Sequence, residues 1–515
     1  MLGPRTRVVA VPLVLAATTV GFAALTDFGI LGSFVLGAIA ALTLLAALDS
    51  AAGLALLLGL MPFDRTIHPA LQQWAWYPRA LHVVDLIAVA LLVGFAVRVL
   101  RRQVRLTWRW YDAVYLAFLA VLSFSALHGL LDHYRYVLRE GRPIPYLLSY
   151  LPAREVFTRV RERGKQIEPL VLGYGIAFCL VAGVLAYQVE GTWGRASDVL
   201  LPRLPFVADI TPLLLVVLVA MGAYAWAPAE RRLSCLAGTS LVVYGMALAI
   251  ANTRTYFLGF ALAGVVIAVL LLRPREGRWR QAARMSAALG LLVVGMAVPY
   301  VIRAGVVRLE QREVSVSPSP TPAPAAAADP MGEGGGVEPA PVRELAPMSV
   351  EQLTRVERLR KGQDENMVNR TREVQAAWRD TKSHLIGGVG IGMPLRYAMM
   401  QFDGKSKPVQ QSFLHSGYFA VLRSSGLLGL AGLMAVIGCF IALGLRRRFE
   451  WRDSTSVACV LALVALVPMI QLVNVIFMPG AVWLAAVLGW IGTSATASER
   501  VEPEAPVAVL AAAGK

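Results

Sequence analysis

The chain has 515 residues, 57% of them hydrophobic and only 16% charged, with a formal net charge of +16. A soluble protein carries about 25% charged residues, so this composition excludes an ordinary soluble enzyme. The surplus of Lys and Arg sits at the ends of apolar runs, where membrane proteins place their cytoplasmic anchors, and this argues against nucleic acid as the partner. In chain order, apolar runs fall near 8–25, 29–48, 51–62, 80–98, 111–130, 167–187, 206–227, 233–252, 255–272, 283–303, 424–445, 455–474 and 477–495. Most are about 18–22 residues long, which matches the bilayer hydrocarbon at 1.5 Å per helical residue. Lipid offers no hydrogen-bond partners, so these runs must be helices. The first run, after Met1 to Arg7, reads as a retained helix rather than a cleaved signal peptide. The run at 51–62 is short: it either extends its predecessor or turns back.

The expected fold is an all-α polytopic membrane protein of about 12 transmembrane helices, with one large extracytoplasmic loop that contains helices. Its parts are an N-terminal bundle (1–303), the loop (304–411), C-terminal helices (412–496) and a cytoplasmic tail (497–515). Orientation rests on three basic clusters: Arg231 and Arg232, Arg273 to Arg284, and Arg446 to Arg452. Placing all three in the cytoplasm puts the loop and the turn Asn252-Thr253-Arg254 outside. Segments 98–109 and 131–166 are both basic with one apparent helix between them. Either a short span hides near 143–153, or one basic segment lies outside.

Within the loop, 315–348 is rich in Pro, Ala, Gly and Ser and reads as a disordered linker. The helical part, 349–392, opens on Ser349, three residues before Gln352, in a capping-box pattern. It closes on the glycine-rich stretch His384-Leu385-Ile386-Gly387-Gly388-Val389-Gly390. A flexible return to the membrane is the plain reading of that stretch, and no strand precedes it to make a dinucleotide fingerprint. The four cysteines form no C-x-x-C pair and the six histidines show no ligand spacing, so neither a disulfide framework nor a metal site is expected.

Three places can carry chemistry. Arg254 sits at the outer end of a helix, where a snorkelling interface arginine is the alternative. Arg370 and Arg372 lie on the loop helix, two residues apart, so they diverge around it. His415 opens the return to the membrane, where an imidazole meets water and can act as a base near neutral pH.

Together these residues resemble the O-antigen ligase and O-antigen polymerase superfamily of bacterial surface-polysaccharide enzymes. The resemblance covers roughly 230–445 and has four parts: Thr253-Arg254 starting an apolar helix, a large loop between two late spans, Arg370 leading a helix to Gly388-Val389-Gly390, and His415 ahead of Gly426-Leu427-Leu428-Gly429-Leu430. The family often has Asn where Ser416 follows the histidine, Pro where Leu385 stands, and Trp where Val374 stands. The resemblance implies a metal-independent, inverting glycosyltransferase of the bacterial plasma membrane, with its site on the extracytoplasmic face and no cofactor. The donor would be a glycan on a polyprenyl diphosphate and the acceptor a glycan or a lipid-anchored hydroxyl, with membrane lipid around both. His415, Arg254 and Arg370 would be catalytic, and Arg372, His384, Gly388 and Gly390 would bind substrate. Polymerase and ligase both stay open. Polymerase is favoured slightly, because nothing points to a specific lipid-anchored acceptor. A transporter, which would place ionisable groups such as Asp85 within the membrane, and a non-catalytic assembly protein are the alternatives.

Overall fold

The computed structural model describes residues 29–61, 64, 82–104, 107–162, 167–189, 210–226, 231–251, 262–265, 278–316, 365–400, 406–411, 414–446, 454–472 and 480–497. The first expected span, the Thr253-Arg254 turn, the linker from 317 onward, the Ser349–Gln352 box and the tail beyond 497 lie outside them. The elements are α1 (Gly29–Leu48), α2 (Ser50–Leu60), α3 (Val83–Leu100), α4 (Trp110–Leu131), α5 (Val137–Gly141), α6 (Pro143–Leu148), α7 (Tyr150–Glu162), α8 (Glu168–Val189), α9 (Ile210–Trp226), α10 (Arg231–Ala251), α11 (Arg278–Val316), α12 (Glu365–Thr381), β1 (Leu395–Met400), β2 (Ser406–Gln411), α13 (Gly417–Arg446), α14 (Ser454–Leu472) and α15 (Ala481–Ala497). Among the described residues, five helices are long and apolar enough to cross a membrane: α3, α4 and most of α10, α11 and α13.

The protein is mostly helical, and the all-α expectation needs one correction: β1 and β2 form an antiparallel hairpin, with Leu395 opposite Gln411 and Met400 opposite Ser406. Leu395 points inward and Arg396 outward, with Tyr397 half-buried, the period-two alternation of a one-sided strand. The neighbouring Asp403-Gly404 is a hairpin signal.

Helices α9, α14 and α15 are buried almost all round, from Leu215 to Ala225, Val457 to Ile470 and Ala481 to Ile491. A helix apolar on every side belongs in the centre of a bundle. The helices that expose Val93, Phe124 and Leu428 occupy its lipid-facing rim. The short α2 turns back after Asp49, whose carboxylate caps its first turn by accepting from the Ala51 N–H at 2.8 Å. Gly53 then packs on the Ala46 backbone.

The two basic segments flanking α4 are explained by α5–α7, which retrace that helix in the opposite direction. Val137 lies by Gly129 and Gly141 by Ala126. Farther along, Tyr115 donates to the Leu147 carbonyl at 2.8 Å, and Tyr150 donates to Asp112 at 2.6 Å. Arg154 closes the ladder in a buried ion pair with Asp112. Residues 112 to 129 of α4 rise about 26 Å, so the broken segment covers most of a bilayer. Arg154, which also donates to the Thr107 carbonyl, brings the chain back beside the start of α4. Asp85, the ionisable group considered for transport, is held here: Arg142 Nε lies 2.9 Å from its Oδ2, and the Tyr146 hydroxyl donates to it. His82 and Asp64 pair beside them at 2.8 Å.

Candidate active site

Helix α12 presents one stripe inward. Glu373, Ala376, Ala377 and Thr381 are buried, at the three- and four-residue spacing of one helical face. The two alanines let the helix approach Leu395, Leu414 and Ala420, with Tyr397 packed alongside. This stripe carries the two acidic groups that dock the loop on the bundle. Glu373 takes His415, and Asp380 takes Arg423, whose Nη2 lies 2.8 Å from Oδ2. Arg423 is buried and also donates to the Met393 carbonyl at 2.9 Å. Because 373 pairs with 415 and 380 with 423, α12 runs parallel to the first two turns of α13.

The Glu373–His415 contact is double. One carboxylate oxygen accepts the His415 backbone N–H at 2.6 Å, and the other lies 2.8 Å from Nδ1. A carboxylate only accepts, so Nδ1 carries a proton, and in the neutral ring Nε2 is then the nitrogen with the lone pair. The Glu373 side chain is 3% exposed and that of His415 47%, so the carboxylate that fixes the ring is buried while about half of the imidazole side chain is exposed. Burial, and next the Glu373 carboxylate, push the Tyr397 phenol up, so it stays neutral beside the pair. Ser416 caps the helix that follows, with Oγ 3.4 Å from the Phe419 N and donating to Gln471 at 3.2 Å.

The two loop arginines separate as their spacing requires. Arg372 donates to the Ala398 carbonyl and to Ser406 Oγ, both at 3.0 Å, and so ties β1 to β2. Arg370 is exposed and lies three residues, one turn, before Glu373 on α12. Arg254 lies outside the described residues.

His384, Gly388 and Gly390 are not gathered at this pair. They follow the far end of α12, whose last residue Thr381 lies about 12 Å from Glu373 by helical rise. There the glycine-rich turn enters a break in α13 at Gly426, where φ is 65° and ψ −162°. A broken helix leaves amides and carbonyls unpaired, and inside a membrane bundle these must find protein partners. Val389 and Gly390 donate to the Arg423 and Ser424 carbonyls at 2.8 and 3.0 Å, while the Leu427 and Leu428 amides donate to Leu385 and Ile386 at 2.8 and 3.3 Å. The Gly388 N–H is engaged by the His384 carbonyl at 2.8 Å. The amides of Gly388 and Gly390 are therefore both engaged within the protein. Glycine is required because Gly388 has φ +73° and a Cβ there would overlap the Ser424 backbone. His384 is exposed, with Nδ1 3.0 Å from Ser383 Oγ.

A docked extramembrane helix, a carboxylate-fixed histidine at the membrane re-entry and a broken helix behind it now stand in one stretch of chain. Residues 239–434 match the family model for O-antigen ligase. This bears out the resemblance read from Arg370, the glycine turn and His415. The matched segment takes in α12, the hairpin, His415 and the break at Gly426. No curated protein matches the chain. Within the matched segment, Glu373 is the residue that sequence reasoning missed. The histidine it fixes lies 42 positions away, and a glutamate among Arg370, Arg372 and Arg379 reads from sequence as part of a solvated face. Its one local signal is register: Glu373 shares a stripe with Ala376, Ala377 and Thr381 rather than with exposed Gln375 and Trp378.

Proposed function

We propose that this protein transfers an oligosaccharide from a polyprenyl diphosphate onto an acceptor hydroxyl at the extracytoplasmic face of a bacterial plasma membrane, in the manner of an O-antigen ligase. The observation that carries this reading is the Glu373–His415 pair, which fixes the imidazole through Nδ1 on the segment that matches the ligase family. In the transfer, the acceptor oxygen attacks the anomeric carbon and its proton passes to His415 Nε2. The bond from that carbon to the diphosphate oxygen breaks as the new glycosidic bond forms, so a single displacement inverts the centre. The imidazolium is stabilised by the Glu373 carboxylate and later gives its proton to water. Charge grows on the departing lipid diphosphate. Arg370, with Arg254, would meet it with planar, permanently charged donors, without a metal ion. The family description favours a lipid-anchored acceptor over a growing polymer.

The test uses purified protein in lipid nanodiscs with a polyprenyl-diphosphate-linked donor. His415→Ala is expected to abolish transfer while donor binding persists. Arg370→Lys should cost heavily, because a point charge cannot reproduce the fork of a guanidinium. Arg372→Ala, which loosens the hairpin, should cost less. Undiminished product from His415→Ala at normal protein levels would sink the general-base role.

A further inference from the structure

Away from the His415 site, a cavity of about 480 Å³ opens between α9, α10 and α11, lined by Tyr224, Arg231, Ser234, Cys235, Gly238 and Arg284. Gly245 of α10 and Gly295 of α11 bring the two helices into backbone contact, with a Cβ at Gly295 overlapping the Val242 carbonyl. The cavity lies toward the helix starts, below that close contact. Gly238 leaves its floor open between Tyr224 and Leu291.

The charge of this cavity is one-sided. Arg231 is the first residue of α10 and Arg284 lies in the second turn of α11; neither helix has an acidic residue in its first turn. None of the six lining residues is acidic. Helix starts carry partial positive charge and favour anions, and the two guanidiniums there add to it among the described residues. The volume falls in the range of organic-ligand pockets, about 300–1,000 Å³, and exceeds what an inorganic ion needs.

We propose that this cavity binds the phosphate group of an anionic phospholipid headgroup, with Arg231 and Arg284 clamping the phosphate oxygens from two helices. Guanidiniums suit this task through their paired donors. The excess of arginine at this end of α10 and α11 assigns it to the cytoplasmic leaflet, where basic pockets between membrane helices meet anionic lipids. The site is separate from the glycosyl-transfer chemistry and does not depend on it.

Cys235 makes the proposal testable, since it is exposed on the cavity wall whereas Cys459 is buried and Cys179 and Cys439 are half-buried. The full-length protein is placed in nanodiscs of phosphatidylcholine alone or with added phosphatidylglycerol or cardiolipin. Alkylation of Cys235 by an uncharged maleimide is followed by peptide mass spectrometry. Anionic lipid is expected to slow the reaction by about tenfold, and Arg231→Ala/Arg284→Ala should react at the same rate in both discs. The single variants Arg231→Gln and Arg284→Gln, with intermediate protection expected, serve if the double variant does not fold. Equal rates for the wild-type protein in the two discs, or slowing that the arginine variants retain, would overturn the site. Protection by millimolar inorganic phosphate or pyrophosphate in phosphatidylcholine discs, with none from anionic lipid, would overturn the lipid source and leave a soluble phosphate compound as the ligand.

Discussion

Replacing Glu373 by Gln removes one charge and one acceptor but keeps the side-chain shape. In the native pair both oxygens are used, one by the His415 backbone N–H at 2.6 Å and one by Nδ1–H at 2.8 Å. Glutamine offers one acceptor and one NH2 group. If its oxygen turns to Nδ1, the NH2 meets the backbone N–H and a buried donor goes unpaired, which costs about 1–3 kcal/mol. If its oxygen turns to the backbone N–H, the NH2 donates to Nδ1, and the ring proton moves to Nε2. The second arrangement leaves no donor unpaired and therefore dominates. It also removes the lone pair that would accept the hydroxyl proton. General-base assistance contributes about 10²–10⁴ in rate. We expect Glu373→Gln to insert at normal levels, with turnover lower by at least about 10²-fold and donor KM unchanged. Transfer in nanodiscs gives the rate, and 15N shifts of the His415 ring give the tautomer. Turnover within threefold of wild type (roughly 0.7 kcal/mol of barrier), with Nε2–H the observed tautomer, would refute the reasoning.

Two further substitutions test the scaffold. Gly426→Ala drives a Cβ into the Ile386 carbonyl at φ +65°, so it should lose the left-handed penalty of about 1–2 kcal/mol plus the clash, read as a lower Tm in detergent. Gly438→Ala, where a Cβ meets nothing within 4 Å, should leave Tm unchanged or raised, and equal effects of the two would discredit the inserted turn. Asp112→Ala leaves Arg154 buried without its carboxylate, a loss of about 3–5 kcal/mol. Adding Arg154→Leu should restore much of it, and a single variant as stable as wild type would show that the pair does not hold α7 against α4.

The helices were legible because lipid makes them a local matter. The start of α1 at Gly29, the span of α4 from Trp110 to Leu131 and that of α8 from Glu168 to Val189 agree with the apolar runs within two residues. An apolar run of about twenty residues has no alternative to a helix in hydrocarbon. The position of His415 was legible for a similar reason, since it stands just ahead of the apolar run that becomes α13 and is part exposed there. The contrast between Arg370 and Arg372 needed only the 3.6-residue turn to be posed, though not to be resolved.

Tertiary structure decided whatever depends on two distant segments meeting. Tyr150 and Arg154 show no apolar run that marks a crossing, because their polar ends are satisfied by Asp112 on α4. The short, charged segment can therefore retrace a membrane helix that hydropathy alone would not let it join. The hairpin of β1 and β2 is too brief to outweigh its helical surroundings until Arg372 ties its strands together. The glycine turn reads as a flexible return to the membrane until its amides are seen closing the break at Gly426. Glu373 acquires its role only when α12 lies along α13. A carboxylate's effect on an imidazole falls off within a few ångströms, and no local pattern states which residue will come that close.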